Sequence, residues 1–328
     1  MKKNIAVVAG GNSSEYQISI NSAGELSSSL DEKKYNAYTV VVKGSEWTVL
    51  SSEKKYTIDK NDFSFQTSKL KIKFDCVLMA IHGTPGEDGK LQSYFDLLNI
   101  PYTSCNVFTS ALTFNKFACK NFLKEFGVKT AKSLLLRKEE VFDLEGIFQK
   151  LNMPCFVKPN NSGSSFGISK VKDKEELQTA IFNAFVEDEE VIIEEFVQGT
   201  EVSCGLFKTK SEILIFPLTE IVSENDFFDY EAKYTEGKAE EITPARIPDD
   251  LRQKCMDISE HIYLKLGCDG LVRIDYIISN NTPYFLEINT VPGMTKESIV
   301  PRQIEAFGSN MGEILDLVIK DALDRKLS

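Results

Sequence analysis

Residues 270–294 read GLVRIDYIISNNTPYFLEINTVPGM, in which the β-like runs 272–278 and 284–289 flank the polar cluster Ser279-Asn280-Asn281-Thr282-Pro283. Apolar runs bounded by turn residues in this way spell an antiparallel hairpin. Side chains alternate along a strand, so Arg273 and Asp275 share one face, as do Phe285, Glu287 and Asn289, while Ile274, Tyr276, Leu286 and Ile288 point into apolar packing. With the two polar faces coincident, a cation, two carboxylates and an amide oxygen converge. Acids beside aliphatic neighbours are costly when desolvated and unpaired, so a positive partner is expected between them. Hard oxygen donors without His or Cys point to Mg2+, held together with nucleotide phosphates. The alternative is a solvated hairpin face carrying a surface Arg–Asp pair.

At 328 residues the chain is long for a single core, and two or three domains are the natural expectation. A net charge of −11 without any block of Lys or Arg argues against nucleic acid or an anionic membrane as the main partner. Seven cysteines are scattered without a C-x-x-C pair, which fits free thiols in a reducing cytosol rather than disulfides or a zinc site. No stretch approaches membrane-spanning length, and the expectation is a soluble, cytoplasmic chain.

Residues 4–9 form a short apolar run, and Gly10-Gly11-Asn12-Ser13-Ser14 then leads into a helix from about Glu15 to Leu30. Amides at a helix start favour anions, yet neither the dinucleotide fingerprint nor the Walker spacing is present. Strands at 35–42 and 74–81 follow, with a polar hairpin-like region between them, so the order β, α, β, β fits an α/β layer. His82-Gly83-Thr84-Pro85-Gly86-Glu87-Asp88-Gly89 is a glycine-rich loop at a strand end, where open α/β sheets place ligands. His82 there either touches a ligand or makes a loop hydrogen bond. Helices are expected over 106–126 and 173–186, the second capped by Asp173. Lys158 shares a strand face with Phe156, and the small residues of 160–167 can lay amides and hydroxyls over phosphate oxygens. Strands follow at 191–197, 201–207 and 213–219. The long polar segment 223–241 carries aromatics that argue for function rather than disorder. An amphipathic helix spans 249–266, another begins at Thr295, and a last one starts at Met311.

Arg273-Ile274-Asp275 with Leu286-Glu287-Ile288-Asn289-Thr290-Val291-Pro292-Gly293-Met294-Thr295 resembles the metal-binding end of the ATP-grasp carboxylate–amine ligases, and in particular the D-alanine–D-alanine ligase family. The resemblance covers nearly the whole chain. It implies an α/β (α+β), three-domain ATP-grasp architecture with an N-terminal open parallel-sheet domain at 1–104, a central domain at 105–196 and a metal-binding domain at 197–328. The implied reaction joins two D-alanines through a D-alanyl phosphate, with ATP as substrate and two Mg2+ ions, replaceable by Mn2+, in a homodimer. Relatives joining D-alanine to D-lactate or D-serine, or a nucleotide-binding regulator without turnover, are the rival readings.

Residue by residue, the loop G-G-x-S-x-E makes Glu15 the partner of the first D-alanine's ammonium, although Tyr16 departs from the basic residue expected next. His82 falls in the family's H-G-x-x-G-E-D-G signature. Lys116 matches a phosphate-binding lysine, with Asn115 in place of the usual acid. K-P-x-x-x-G-S-S-x-G assigns Lys158 and Ser165 to phosphate and Ser164 to substrate positioning. Glu194, Glu195, Phe196 and Val197 match the segment on which adenine lies, and Glu201 the ribose contact, against the plainer reading of a charged hinge. Lys233 and Tyr234 fall in the E-A-K-Y motif, where Lys233 meets phosphate or carboxylate and Tyr234 closes the site with Ser164 and Glu15. Arg273 and Gly293 match positions at the reacting centre, Asp275, Glu287 and Asn289 the metal and ATP ligands. Ser298 and Ile299 match the pocket for the second D-alanine's carboxylate, with a plain helix cap as the alternative for Ser298.

Overall fold

A strand that is apolar on both faces belongs in the middle of a sheet. In the computed structural model, which describes residues 2–50, 54–163, 167–223 and 239–325, β1 (Lys3–Gly10) lies between β2 (Tyr35–Lys43) and β7 (Cys76–Met79), parallel to both. The antiparallel strands β3 (Glu46–Leu50), β4 (Lys55–Asp59), β5 (Ser64–Gln66) and β6 (Lys71–Lys73) extend one edge, in the order β6-β5-β4-β3-β2-β1-β7. Ile5, Val7 and Ala9 face Leu26 of α1 (Tyr16–Ser29) and Ile314, Val318 and Ile319 of the last helix, residues 311–324. Ala6 and Val8 face an aromatic core that includes Phe63, Phe65 and Phe95 of α2 (Lys90–Leu97). One strand thus feeds two cores.

Helices α3 (Val107–Phe114) and α4 (Lys116–Lys124) lead to a second, wholly antiparallel sheet. It comprises β8 (Ser133–Arg137), β9 (Cys155–Pro159), β10 (Ser169–Val171) and β11 (Glu190–Glu195), ordered β10-β9-β11-β8. Leu136, Val157, Val191 and Ile193 turn to α5 (Leu144–Lys150) and α6 (Lys174–Glu187). As expected, Asp173 caps α6, accepting from the Glu176 N–H. Phe156, Lys158 and Glu194 occupy the opposite face, toward a cleft.

The third sheet runs β15 (Ala239–Ile242), β14 (Thr219–Ser223), β12 (Thr200–Lys208), β16 (Val272–Ser279), β17 (Thr282–Asn289), with β13 (Ile213–Ile215) paired to β12. Val202, Cys204, Ile274 and Tyr276 pack on α7 (Asp249–Leu266), which stops at Gly267 in the left-handed region (φ 62°). Helices α8 (Ile299–Ala306) and α9 (Met311–Asp324) close the chain, and α9 returns to the first sheet. All seven cysteines are buried free thiols. No helix among the described residues is long and apolar enough to cross a membrane.

The expected hairpin is β16–β17, turned by Asn280 and Asn281 at φ 47° and 58°, the left-handed pair that a two-residue turn needs. One expectation is overturned. Asp275 opposes Glu287 but Tyr276 opposes Phe285, so Leu286 is the extra residue of a β-bulge. The bulge flips the alternation: Phe285 joins Tyr276 in the apolar core, while Leu286 turns to the cleft. The cause lies outside the hairpin, because the Phe285 N–H donates 2.8 Å to the Lys129 carbonyl and Phe285 bridges Thr130.

At the approach to β16, Gly270 has φ 68°, and a β-carbon there would lie 1.8 Å from the Thr103 carbonyl oxygen. Gly270→Ala is expected to destabilise the fold by at least about 2 kcal/mol, read as a lower urea midpoint, since strain and clash add. An unchanged midpoint would contradict this close approach.

Candidate functional site

The two antiparallel sheets face each other across a cleft of about 860 Å3, lined by Phe156, Lys158 and Glu194 on one side and Arg273, Asp275, Glu287 and Asn289 on the other. Glu15, His82, Glu87 and residues 195–201 also line it. A cleft of this size, lined by charge of both signs, suits a large polyanion rather than an apolar ligand.

Register builds its acidic wall. Asp275 stands opposite Glu287 and Arg273 opposite Asn289, so all four share the cleft face as expected. Opposed carboxylates repel, and the structure pairs each with a cation. Arg273 binds Asp275 through Nε (2.9 Å to Oδ1) and Nη2 (2.7 Å to Oδ2), and Lys116 Nζ lies 3.7 Å from Glu287. Burial opposes the charge on Arg273, but Asp275 overrides it and raises the guanidinium above its ordinary range. Asp275 also accepts from Ser203 Oγ (2.5 Å) and Asn289 Nδ2 (3.1 Å). The Arg–Asp pair is thus a buried clamp and not a solvated surface pair. Two carboxylates and the Asn289 amide oxygen form a hard donor set that fits Mg2+. No group of three or more His, Cys, Asp or Glu suited to a metal occurs among the described residues, so phosphate or water oxygens must complete the shell of any ion held here.

The opposite wall is cationic. Lys158 Nζ lies 2.5 Å from Glu194 Oε2 and 5.7 Å from the centre of the Phe156 ring, on the strand face expected. Glu194 is also bound by Lys120, whose side chain is 1% exposed. Burial alone would raise the Glu194 carboxyl, yet Lys120 and Lys158 together hold it down at about 2. Lys116, at the first position of α4, donates to the Ser162 carbonyl, and its backbone N–H donates 3.1 Å to the Asn160 carbonyl. Asn115, the departure from the family acid, caps α4 by accepting from the Ala118 N–H and donates its own Nδ2 to Glu190 at 3.1 Å. An aspartate could accept but not donate there. The Phe196 N–H goes to the Pro154 carbonyl (3.2 Å) and Glu195 accepts from the Lys132 N–H (2.8 Å). Val197 and Glu201 line the same cleft.

Glu15 is the N-cap of α1, yet its side chain makes no capping bond and turns to the cleft instead. A β-carbon on Gly163 would lie 2.6 Å from Glu15 Oε2, so glycine lets the 160–163 backbone approach this carboxylate. His82 is buried, and burial pushes its pKa down, so the ring is neutral. Nδ1 donates to the Val291 carbonyl at 2.9 Å, which leaves Nε2 to accept from Ser22 Oγ at 3.2 Å. Both ring nitrogens are therefore bonded to protein in this structure. Glu87 accepts from the Gly83 N–H (2.7 Å) and the Val291 N–H (3.3 Å), and burial with the nearby Glu15 charge raises it to about 8.

Helix α8 begins at Ile299 rather than Thr295, because the Ser298 N–H closes a turn on the Thr295 carbonyl (2.8 Å). Ser298 Oγ bonds Thr295 Oγ1 at 2.8 Å and caps nothing. A β-carbon on Gly293 would meet that Oγ at 2.9 Å, which brings Gly293, Ser298 and Ile299 to one corner of the cleft. Ser164, Ser165, Lys233 and Tyr234 lie outside the described residues.

Sequence reading passed over Lys120, Glu87 and Ser203 as individual site residues. Lys120 carried a usable signal, standing between Cys119 and Leu123 on the buried face of α4. Ser203 carried one too, as the polar member of the alternation Val202-Ser203-Cys204.

Sequence profiles described as D-ala D-ala ligase N-terminus and D-ala D-ala ligase C-terminus match residues 4–105 and 122–320. A D-alanine--D-alanine ligase of Phocaeicola vulgatus is 50% identical over 323 residues, 98% of this chain and 99% of that protein. Among solved structures, the VanG D-Ala:D-Ser ligase from Enterococcus faecalis superposes with a TM-score of 0.86 at 32% identity, over 98% of this chain and 99% of that one. The D-alanine--D-alanine ligase from Bacillus anthracis complexed with ATP gives 0.79 at 29% identity, over 98% and 97%.

Two outcomes follow from the charges around the cleft. Asn115→Asp removes a donor and sets a second carboxylate beside Glu190, so stability should fall by about 1–3 kcal/mol, and Glu190→Gln in the same chain should restore most of it. Equal thermal midpoints for the single variant and the parent would refute the pairing. For Glu87, the folded pKa lies above the unfolded value, so between the ordinary carboxylate range and about pH 8 the folded chain holds a proton the unfolded chain has released. Stability therefore declines as pH rises through that window, and Glu87→Gln should flatten the decline in urea titrations from pH 5 to 9.

Proposed function

Because this chain belongs to the D-alanine–D-alanine ligase family, we propose that it joins two D-alanines to D-alanyl-D-alanine, with ATP as phosphoryl donor, for peptidoglycan precursor synthesis. The observation that carries the reading is the polarity of the cleft. Lys116 lies 3.7 Å from Glu287 of the hard-oxygen donor set, and Lys158 and Glu15 line the same cleft, Glu15 offering a carboxylate on which an ammonium would dock.

A carboxylate does not couple to an amine unaided, since its oxygen is a poor leaving group. Transfer of the γ-phosphoryl of ATP to the carboxylate of the first D-alanine gives an acyl phosphate and ADP. The amine of the second D-alanine then attacks the acyl carbon, the C–O bond to phosphate breaks, and the amine loses its proton. Lys116 and Lys158 disperse phosphate charge, and Arg273 stabilises the tetrahedral oxyanion with donors already aligned by Asp275. Mg2+, when bound by Asp275, Glu287 and Asn289, neutralises charge on the phosphates. Glu15 anchors the first ammonium, and the corner at Gly293, Ser298 and Ile299 takes the second carboxylate. Glu194 to Val197 and Glu201 take the nucleoside. Ser164, Ser165, Lys233 and Tyr234 are assigned by the family pattern alone, as covers that exclude water from the acyl phosphate. A cytoplasmic homodimer, with domain boundaries at 104/105 and 196/197, completes the proposal.

ADP release with Mg-ATP should require D-alanine, yield the dipeptide by mass, and fail with L-alanine. D-alanine supplied with D-lactate or D-serine should still give mainly the homodipeptide. Asp275→Asn should lower kcat by about 100-fold or more, as loss of a preorganised charge does. Release with D-serine as preferred acceptor would reassign the second substrate, and ATP binding without ADP would sink the ligase reading.

A further inference from the structure

Lys120 stands where an aliphatic side chain is the ordinary occupant. It lies one turn beyond Lys116 on α4, and its neighbours Cys119 and Leu123 both enter the apolar core. Its ammonium takes Oε1 of Glu194 while Lys158 takes Oε2 at 2.5 Å, so two ammonium groups share one buried carboxylate. Their positions differ. Both border the cleft, but Lys120 reaches Glu194 from α4 and its side chain is 1% exposed, whereas that of Lys158 is 10% exposed on the strand that leads into residues 160–167.

We propose that Lys120 is a positioning residue for nucleotide binding, which keeps Glu194 ionised and in place when a nucleotide phosphate draws Lys158 away. The proposal rests on the reading of the cleft as an ATP site. A carboxylate as buried as Glu194 needs a cation in contact. If Lys158 were its sole partner, phosphate and Glu194 would compete for one ammonium, and binding would leave an unpaired buried charge. With Lys120 held on Oε1, Lys158 can exchange partners while Glu194 stays an acceptor on the pocket wall. That wall matches the amino group of adenine, a donor, and repels the carbonyl that guanine carries in its place.

The test compares wild type, Lys120→Met, Glu194→Gln and the double variant by steady-state kinetics with D-alanine and by thermal unfolding with and without Mg-ATP. In Lys120→Met the Glu194–Lys158 pair survives, so the nucleotide-free midpoint should stay close to wild type. The KM for ATP should rise roughly 30-fold or more, with kcat at saturating ATP changed less than about threefold, because the loss falls on binding and not on the reacting centre. The midpoint rise produced by ATP should shrink in step, and the preference for ATP over GTP should narrow. In the Glu194→Gln background no carboxylate needs a counter-ion, so adding Lys120→Met should change the KM little. This comparison also serves if the single variant folds poorly. An unchanged KM in Lys120→Met, or an equal further loss in the Glu194→Gln background, would overturn the proposal, and a lowered nucleotide-free midpoint with an unchanged KM would assign Lys120 to the core alone. Wild type that shows neither an ATP-induced shift nor turnover would instead overturn the ATP reading on which the proposal stands.

Discussion

The register of β16 on β17 is the constraint on which the cleft depends. It sets Asp275 against Glu287 and Arg273 against Asn289, and a slip of β17 by one residue would carry Glu287 and Asn289 into the apolar core on α7 while β12 still held Arg273 and Asp275 in place. Two carboxylates held face to face repel, so the register persists only where cations answer them. Arg273 does so from the same strand. Lys116 does so from a different part of the chain, and its place depends on the cap at Asn115 and on Asn160, whose carbonyl receives the Lys116 N–H.

Charge is thereby gathered against the overall balance of the molecule. A chain with a net charge of −11 concentrates Lys116, Lys120, Lys158 and Arg273 around one cleft, and an acid within ion-pair distance opposes each of them. Such a site is stable on its own because its charges are paired internally. Those pairs differ in how far they are exposed. The side chains of Lys116 and Lys158 are 13% and 10% exposed, while that of Lys120 is 1% exposed.

The first sheet contributes by holding the loops after β1 and β7 against the end of the hairpin. His82 and Glu87 both bond Val291, and Ser22 of α1 accepts from the Met294 N–H at 3.5 Å. The loop bearing His82 and Glu87 is thus tied to the segment that follows Glu287 and Asn289.

Local bonding made much of this legible in sequence. The span of α7 and its stop at Gly267, the Asn280-Asn281 turn, the Asp173 cap and the shared face of Phe156 and Lys158 all follow from interactions within a few residues, which a short window of sequence contains in full. The grouping of Arg273, Asp275, Glu287 and Asn289 was legible for the same reason, since strand alternation places them. Leu286 was misplaced because its bulge answers a hydrogen bond to Lys129, far outside the hairpin. Lys120 with Glu194, 74 residues apart, and Asn115 with Glu190, 75 apart, were invisible because a charge shows no partner until packing supplies one. Sequence by itself determined the elements, the faces they present and the chemistry available on them. Only the tertiary structure decided which charges neutralise which, because desolvation forces a pairing that depends on distance in space and not on separation along the chain.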